Sequence, residues 1–161
     1  MPVFVRPIRA DDKRLLEDGL RNLSKTSVQR RFLTAKPRFT RSELRYLTEV
    51  DGWDHVALVA EAPTQPGRRL IAVARYVRDP EHPDSAEAAI VVADDLQRLG
   101  MGSLLVEELA ARAQMRGVRR FTATMSGDNI PAQRLLERLT SQLERHHAGQ
   151  GVAELSADLA A

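Results

Sequence analysis

The stretch Ile90-Val91-Val92-Ala93-Asp94-Asp95-Leu96-Gln97-Arg98-Leu99-Gly100-Met101-Gly102-Ser103 runs from an apolar segment through a short polar turn and two glycines into a helical pattern. Unpaired N–H groups at a helix start favour an anion, and glycines there let the backbone come close to it. These residue types therefore suit a phosphate or pyrophosphate cradle. A Walker loop would need Gly-Lys-Ser/Thr at the helix start, where this chain has Gly102-Ser103 with no Lys. A dinucleotide fingerprint would need a third Gly where Leu105 stands. Both are excluded. Just upstream, Glu87 is an isolated acid in the apolar run Ala86–Ala93, an unusual place for a carboxylate and so a second candidate for chemistry. The four His (His55, His82, His146, His147) show no metal-ligand spacing, and His146-His147 reads as a solvated pair. With no Cys, thiolate metal sites, disulfides and a Cys nucleophile are all excluded.

These residues need a scaffold, and the hydrophobic period supplies one. Val3–Ile8 predicts a short strand at an edge or strand end, because Pro7 cannot donate to a ladder. Asp11–Leu23 carries Leu15, Leu16, Leu20 and Leu23 at helical spacing, and Ser24–Leu33 predicts a second short helix that ends before Pro37. Thr40-Arg41-Ser42-Glu43 is a capping box opening a helix through Leu44, Leu47 and Val50. Asp54–Glu61 and Leu70–Val77 predict strands joined by the loop Ala62–Arg69, and Ala86–Ala93 a third. Gly100–Gly117 predicts an amphipathic helix, Arg120–Met125 another strand, and Asn129 a cap with Pro131 in the first turn. The tail has two readings. The helix either continues to about His147, or stops near Leu139 so that Ser141–His147 pairs with Val152–Asp158 across Ala148–Gly151. This order of elements is a mixed α/β sheet.

The 161 residues fit one domain, 1–161, long enough to bury a core without staples, and 43% hydrophobic residues exclude a disordered chain. Net charge is only +2; all but three (Lys13, Lys25, Lys36) of the 24 cationic residues are Arg, and no basic tract exceeds two residues. A basic isoelectric point on such a background is weak support for nucleic acid, and none is expected as partner. The N-terminus lacks a signal-peptide core and no apolar run is long enough to span a bilayer. The expectation is a soluble cytoplasmic protein with no membrane partner, its homodimerisation left open.

Gln97-x-x-Gly100-x-Gly102, in this order of elements, resembles the Gln/Arg-x-x-Gly-x-Gly/Ala signature of the GNAT acyltransferases, and the resemblance extends over nearly the whole chain. Asp128-Asn129-Ile130-Pro131-Ala132 is similar to the Asn-x-x-Ala element after that family's fifth strand. Arg30-Arg31-Phe32, the Asp54–Ala60 strand, Ala86-Glu87-x-Ala89 and Asp94-Asp95-Leu96-Gln97 are similar to the GNAT domain of bacterial Pat-type protein lysine acetyltransferases, which often carry a regulatory domain; none is expected within these 161 residues.

The resemblance implies a GNAT fold of α/β (α+β) class: a mixed, mostly antiparallel sheet flanked by helices, with a splayed strand before the cofactor loop. It implies acetyl-CoA as acyl donor, no metal, and direct acetyl transfer to a primary amine, a protein lysine first and a small amine or amino acid second. Arg98, Leu99, Gly100, Met101, Gly102 and Ser103, with Gln97, would hold the pyrophosphate; Ile90, Val91 and Val92 would align the pantetheine arm; Asn129 would approach the cofactor. A backbone N–H near Val92 would stabilise the oxyanion. An alkylammonium acceptor is protonated at neutral pH and needs a proton acceptor, and the Pat-type pattern puts that base at Glu87, where burial in the apolar strand is expected. Leu136 stands where many members have a Tyr acting as acid toward the departing thiolate, and Thr140-Ser141 where many have Gly-Phe. A reading of another class, a non-catalytic acyl-CoA sensor, shares the Gln97–Gly102 loop without needing Glu87.

Overall fold

The computed structural model describes residues 2–23, 38–64, 67–94 and 100–159. The predicted helix Ser24–Leu33, and Gln97, Arg98 and Leu99 of the glycine loop, lie outside the described residues. Seven strands form one open sheet: β1 (Phe4–Pro7), β2 (His55–Pro63), β3 (Arg68–Arg78), β4 (Ser85–Val92), β5 (Arg120–Ser126), β6 (Leu143–Gly149) and β7 (Val152–Asp158), in the order β1-β2-β3-β4-β5-β7-β6. Every neighbouring pair is antiparallel except β4–β5. The helices are α1 (Lys13–Arg21), α2 (Arg41–Thr48), α3 (Met101–Met115) and α4 (Ile130–Glu137), with a 3-10 turn at Ala10–Asp12. None of the described helices is long and apolar enough to cross a membrane.

Both faces of the sheet carry a core. Tyr76, Leu58 and Phe121 meet Leu105 and Leu109 of α3 and Leu136 of α4 on one face. On the other, Ala57, Val59 and Leu70 meet Leu16 and Leu20 of α1 and Leu44 of α2. This double cover explains why His55–Ala60 is buried at every residue rather than alternately. β1 is an edge strand ending at Pro7, as its missing N–H requires. It is pinned through Arg6, which donates to both oxygens of the fully buried Asp12 at 2.8 Å and to Glu61 Oε2 at 2.9 Å. The Thr40 capping box forms as expected: Thr40 Oγ1 accepts from the Glu43 N–H at 3.1 Å and Glu43 Oε1 from the Thr40 N–H at 2.9 Å.

One local expectation changes, and one open alternative is decided. The link between β2 and β3 is a short hairpin, since pairing extends to Pro63↔Arg68 and the Thr64 N–H donates to Gly67 O at 2.8 Å. In the tail, α4 stops at Glu137 and β6 and β7 form a hairpin, so the second of the two readings holds. Leu139 and Leu143 meet the spacing of a helix, but both pack on the sheet core from a turn and a strand. Gly149, Gln150 and Gly151, all at positive φ (83°, 53° and 75°), make the reversal that a continuing helix would not need.

Candidate functional site

β4 organises the site. The Asp79 N–H donates to Ser85 O at 2.9 Å and the Ala93 N–H to Ile71 O at 2.8 Å, so the odd-numbered residues of β4 turn their backbone groups to β3. The even-numbered residues turn theirs toward β5. That neighbour is present only for Ser85↔Arg120, Ala86↔Phe121 and Glu87↔Thr122; beyond Glu87 the two strands separate. The backbone of Ala88, Ile90 and Val92 is thereby directed into a gap in the sheet, as the splayed-strand expectation requires.

Side chains follow the same period. Ala86, Ala88, Ile90 and Val92 face α3 and α4, whereas Glu87, Ala89 and Val91 face the α1–α2 side. Glu87 is exposed. Its expected burial is not observed, because the apolar residues flanking it in sequence turn to the opposite face. A pocket of ≈ 590 Å³ opens along the gap, walled by Glu87 and Ile90, by Thr124 and Met125 of β5, and by Asn129 and Leu135. A second pocket, of ≈ 640 Å³, lies between α1 and the sheet, walled by Leu16, Leu20, Phe39, Arg75 and Val91. Ala89 lines both. Two molecules seated on opposite faces of the sheet would meet at this one stretch of β4, beside Glu87.

The two glycines have different reasons. Gly100, at φ +82°, precedes the first turn of α3 in a left-handed conformation, and no side chain of the described residues caps that helix start. Gly102 is buried, and a Cβ there would lie 3.0 Å from Leu135 Cδ1 and 3.4 Å from Val92 Cγ2. Its small size serves the packing of α3 against α4 and β4, a reason the sequence did not show. Met101 packs on the core and Ser103 is half-buried in the first turn. Asn129 lines the pocket while its Oδ1 caps α4, accepting the Ala132 N–H at 3.3 Å. The donor set fits a long anionic thioester: a helix start that no described side chain caps, a strand edge that a pantetheine amide chain can extend, and an apolar wall. Among the described residues no group of three or more His, Asp or Glu is placed to hold a metal.

Three residues of the site region carry no sequence signal. Arg75, buried on the α1–α2 face, donates through Nη1 to Leu47 O at 3.0 Å and lies 3.0 Å from His55 Nε2. A guanidinium only donates, so His55 Nε2 accepts and its proton sits on Nδ1. Burial first, and the Arg75 charge second, push the His55 pKa down from 6.5 to about 4, with Asp51 pulling weakly the other way. Gln133 is buried on α4 and donates to Gly127 O at 3.1 Å, bracing the turn that carries Asn129. Only the β2–β3 register brings Arg75 to His55, which a single-strand pattern does not encode.

The model of the Acetyltransferase (GNAT) family matches residues 26–140. The chain is 34% identical over 153 residues to Acetyltransferase Pat of Mycolicibacterium smegmatis, covering 94% of this chain and 45% of that protein. The crystal structure of the GNAT domain of S. lividans PAT superposes with a TM-score of 0.82 at 32% identity, covering 96% of this chain and 89% of that one. A cAMP-binding acyltransferase from Mycobacterium smegmatis superposes with a TM-score of 0.68 at 30% identity, covering 99% of this chain and 44% of that one. The chain thus spans less than half the length of those two mycobacterial proteins.

Proposed function

Because the chain belongs to the GNAT acetyltransferase family, we propose that it transfers the acetyl group of acetyl-CoA directly to a primary amine, the lysine side chain of a protein. The observation that carries this reading is the pair of pockets meeting at Ala89, one along the β4–β5 gap and one on the opposite face, with Glu87 at their junction. A thioester supplies an activated carbonyl and a leaving thiolate. The chain's own residues have three tasks.

The first is to hold the donor. The backbone of Ile90, Val91 and Val92 extends along the pantetheine arm, and the open start of α3 at Gly100, Met101, Gly102 and Ser103 takes the pyrophosphate. Gln97, Arg98 and Leu99 belong to the same cradle by the family signature, and Asn129 approaches from the other wall. The second is to receive a proton. As the amine nitrogen bonds to the acetyl carbon and the carbon–sulfur bond breaks, the ammonium proton passes to the Glu87 carboxylate, directly or through one water. Exposure keeps that carboxylate open to a bound amine. The third is to steady the negative charge that develops on the carbonyl oxygen, which a backbone N–H near Val92 does. A thiolate with a pKa of about 8.5 leaves without an acid, so the buried Leu136 at the pocket wall removes nothing essential.

A small apolar amine is the second reading, and the apolar pocket beneath α1 favours it. Acetyl-CoA turnover with a panel of lysine peptides against a panel of small amines separates the two; turnover of small amines alone overturns the protein-lysine acceptor. Glu87→Gln is expected to lower kcat about 10²–10⁴-fold with acetyl-CoA affinity unchanged. A variant as active as the parent removes Glu87 from its role. Acetyl-CoA binding without turnover of any amine leaves only a sensing module.

A further inference from the structure

The face of the sheet that carries Glu87 continues past β4 without a described helix on it. Phe121, Ala123 and Met125 of β5 and Ala153, Leu155 and Ala157 of β7 are buried on the α3–α4 side, so the residues between them point the other way. One row across the sheet reads Glu87, Thr122, Ser156, Glu144, and the next reads Thr124, Glu154, His146. Thr124, Glu154, Glu144 and His146 are exposed. Thr124 also lines the pocket along the β4–β5 gap, so this face is continuous with the site.

Its charge is unbalanced. Elsewhere on the chain carboxylates are matched with arginines, as in Arg78–Asp54, Arg112–Glu108 and Arg138–Glu107, whereas on this face Arg120 is bonded to Asp158 of the neighbouring strand at 2.9 Å. Glu87, Glu144 and Glu154 make no hydrogen bond or ion pair with any described residue. Arg145, beside Glu144 in sequence, points to the opposite face, toward Glu137 at 3.6 Å. Three exposed carboxylates and a strip of hydroxyls thus flank the reaction pocket, and the arginine beside them, Arg120, is bonded to Asp158 while its charge also reaches Glu144.

Resting on the acetyltransferase reading above, we propose that the β5–β7–β6 face, on which no described helix lies, is the docking surface for the acceptor protein and that Glu144 and Glu154 select lysines with a second cationic residue nearby. Strands about 4.8 Å apart put Glu144 about 14 Å from Glu87, and Glu154 at a similar distance. An extended peptide rises about 3.4 Å per residue, so a cation three or four positions from the acceptor lysine meets these carboxylates while the lysine reaches Glu87. The occupant is a peptide segment of a protein: the face is three strands wide, its Thr124, Glu144, His146 and Glu154 are exposed, and carboxylates spread over that span suit an extended chain rather than a small ligand.

The test uses two lysine peptides, one with Arg four residues from the lysine and one with Gln there, read by acetylation kinetics and by fluorescence anisotropy in the presence of CoA. The Arg peptide is expected to show a kcat/KM about five- to tenfold higher, carried by KM, with the preference fading in 0.5 M salt. E144Q/E154Q should erase the preference and leave both the Gln-peptide kcat/KM and the acetyl-CoA KM unchanged. E144K/E154K should reverse it. Equal use of both peptides, or a preference that survives E144Q/E154Q, refutes the docking surface while leaving the acetyltransferase reading intact. Selective binding of the Arg peptide without turnover of any amine leaves the surface standing and refutes the reading beneath it. Spermidine turned over better than either peptide overturns the peptide occupant.

Discussion

The buried pair His55–Arg75 makes stability depend on pH in a window of its own. The imidazole is neutral in the fold because its Nε2 accepts from Arg75 Nη1 at 3.0 Å; a proton there would remove the acceptor and set two cations together. Its folded pKa of about 4 lies below the ordinary 6.5. The unfolded chain therefore takes the proton first, and stability present above about pH 6.5 is lost as pH falls toward about 4. The loss reaches about 2 kcal/mol by pH 5, and about 3 kcal/mol once both states are protonated. For a chain of 161 residues, 2 kcal/mol lowers Tm by about 4–8 °C. Carboxylates held low by their partners, such as Asp12, Asp51 and Asp79, titrate below this window. The assay is thermal and urea unfolding of the parent and His55→Gln between pH 8 and pH 5. The variant keeps an acceptor for Arg75 but cannot titrate, so its deficit at pH 8 should shrink by about 2 kcal/mol at pH 5. A stability difference constant to within about 0.5 kcal/mol over that range refutes the argument.

Three further outcomes follow from single contacts. Gly100→Ala forces an L-residue to φ +82°; it should cost about 1–2 kcal/mol by urea unfolding although the added Cβ meets nothing within 4 Å. Asp12→Asn uncouples Arg6 from the fully buried carboxylate, where burial alone would raise the pKa but Arg6 and the Arg9 N–H hold it below the usual range. A loss of about 3–5 kcal/mol is expected in the same assay, and a neutral result contradicts the buried-pair account. Thr40→Ala removes the acceptor for the Glu43 N–H and should cost about 1 kcal/mol, read as a fall in the urea midpoint.

Signals confined to neighbours in the chain were legible from the amino-acid order alone. The Thr40–Glu43 box, the Asn129–Pro131 start of α4 and the period of α3 depend on residues three or four apart, and each forms as expected. The mixed sheet followed from that order of elements, and the resemblance carried by Gln97, Gly100, Gly102 and Asn129 pointed to the family. Tertiary structure decided what depends on which strand lies beside which. A Glu among alanines reads as buried in one dimension, but alternation sends Ala86 and Ala88 to the α3–α4 core and leaves Glu87 on the open face. Gly102 reads as a phosphate glycine, and only the fold adds that Leu135 and Val92 leave no room there for a Cβ. The leucine period at Leu135, Leu136, Leu139 and Leu143 suited a longer helix equally well; pairing of β7 with β5 chose the hairpin, because a strand's hydrogen bonds are made to partners distant in sequence. Arg75 beside His55, and Glu87 in one row with Glu144, exist only through register. Composition and local spacing carry no record of register, so the chemistry of this face belongs to the folded sheet.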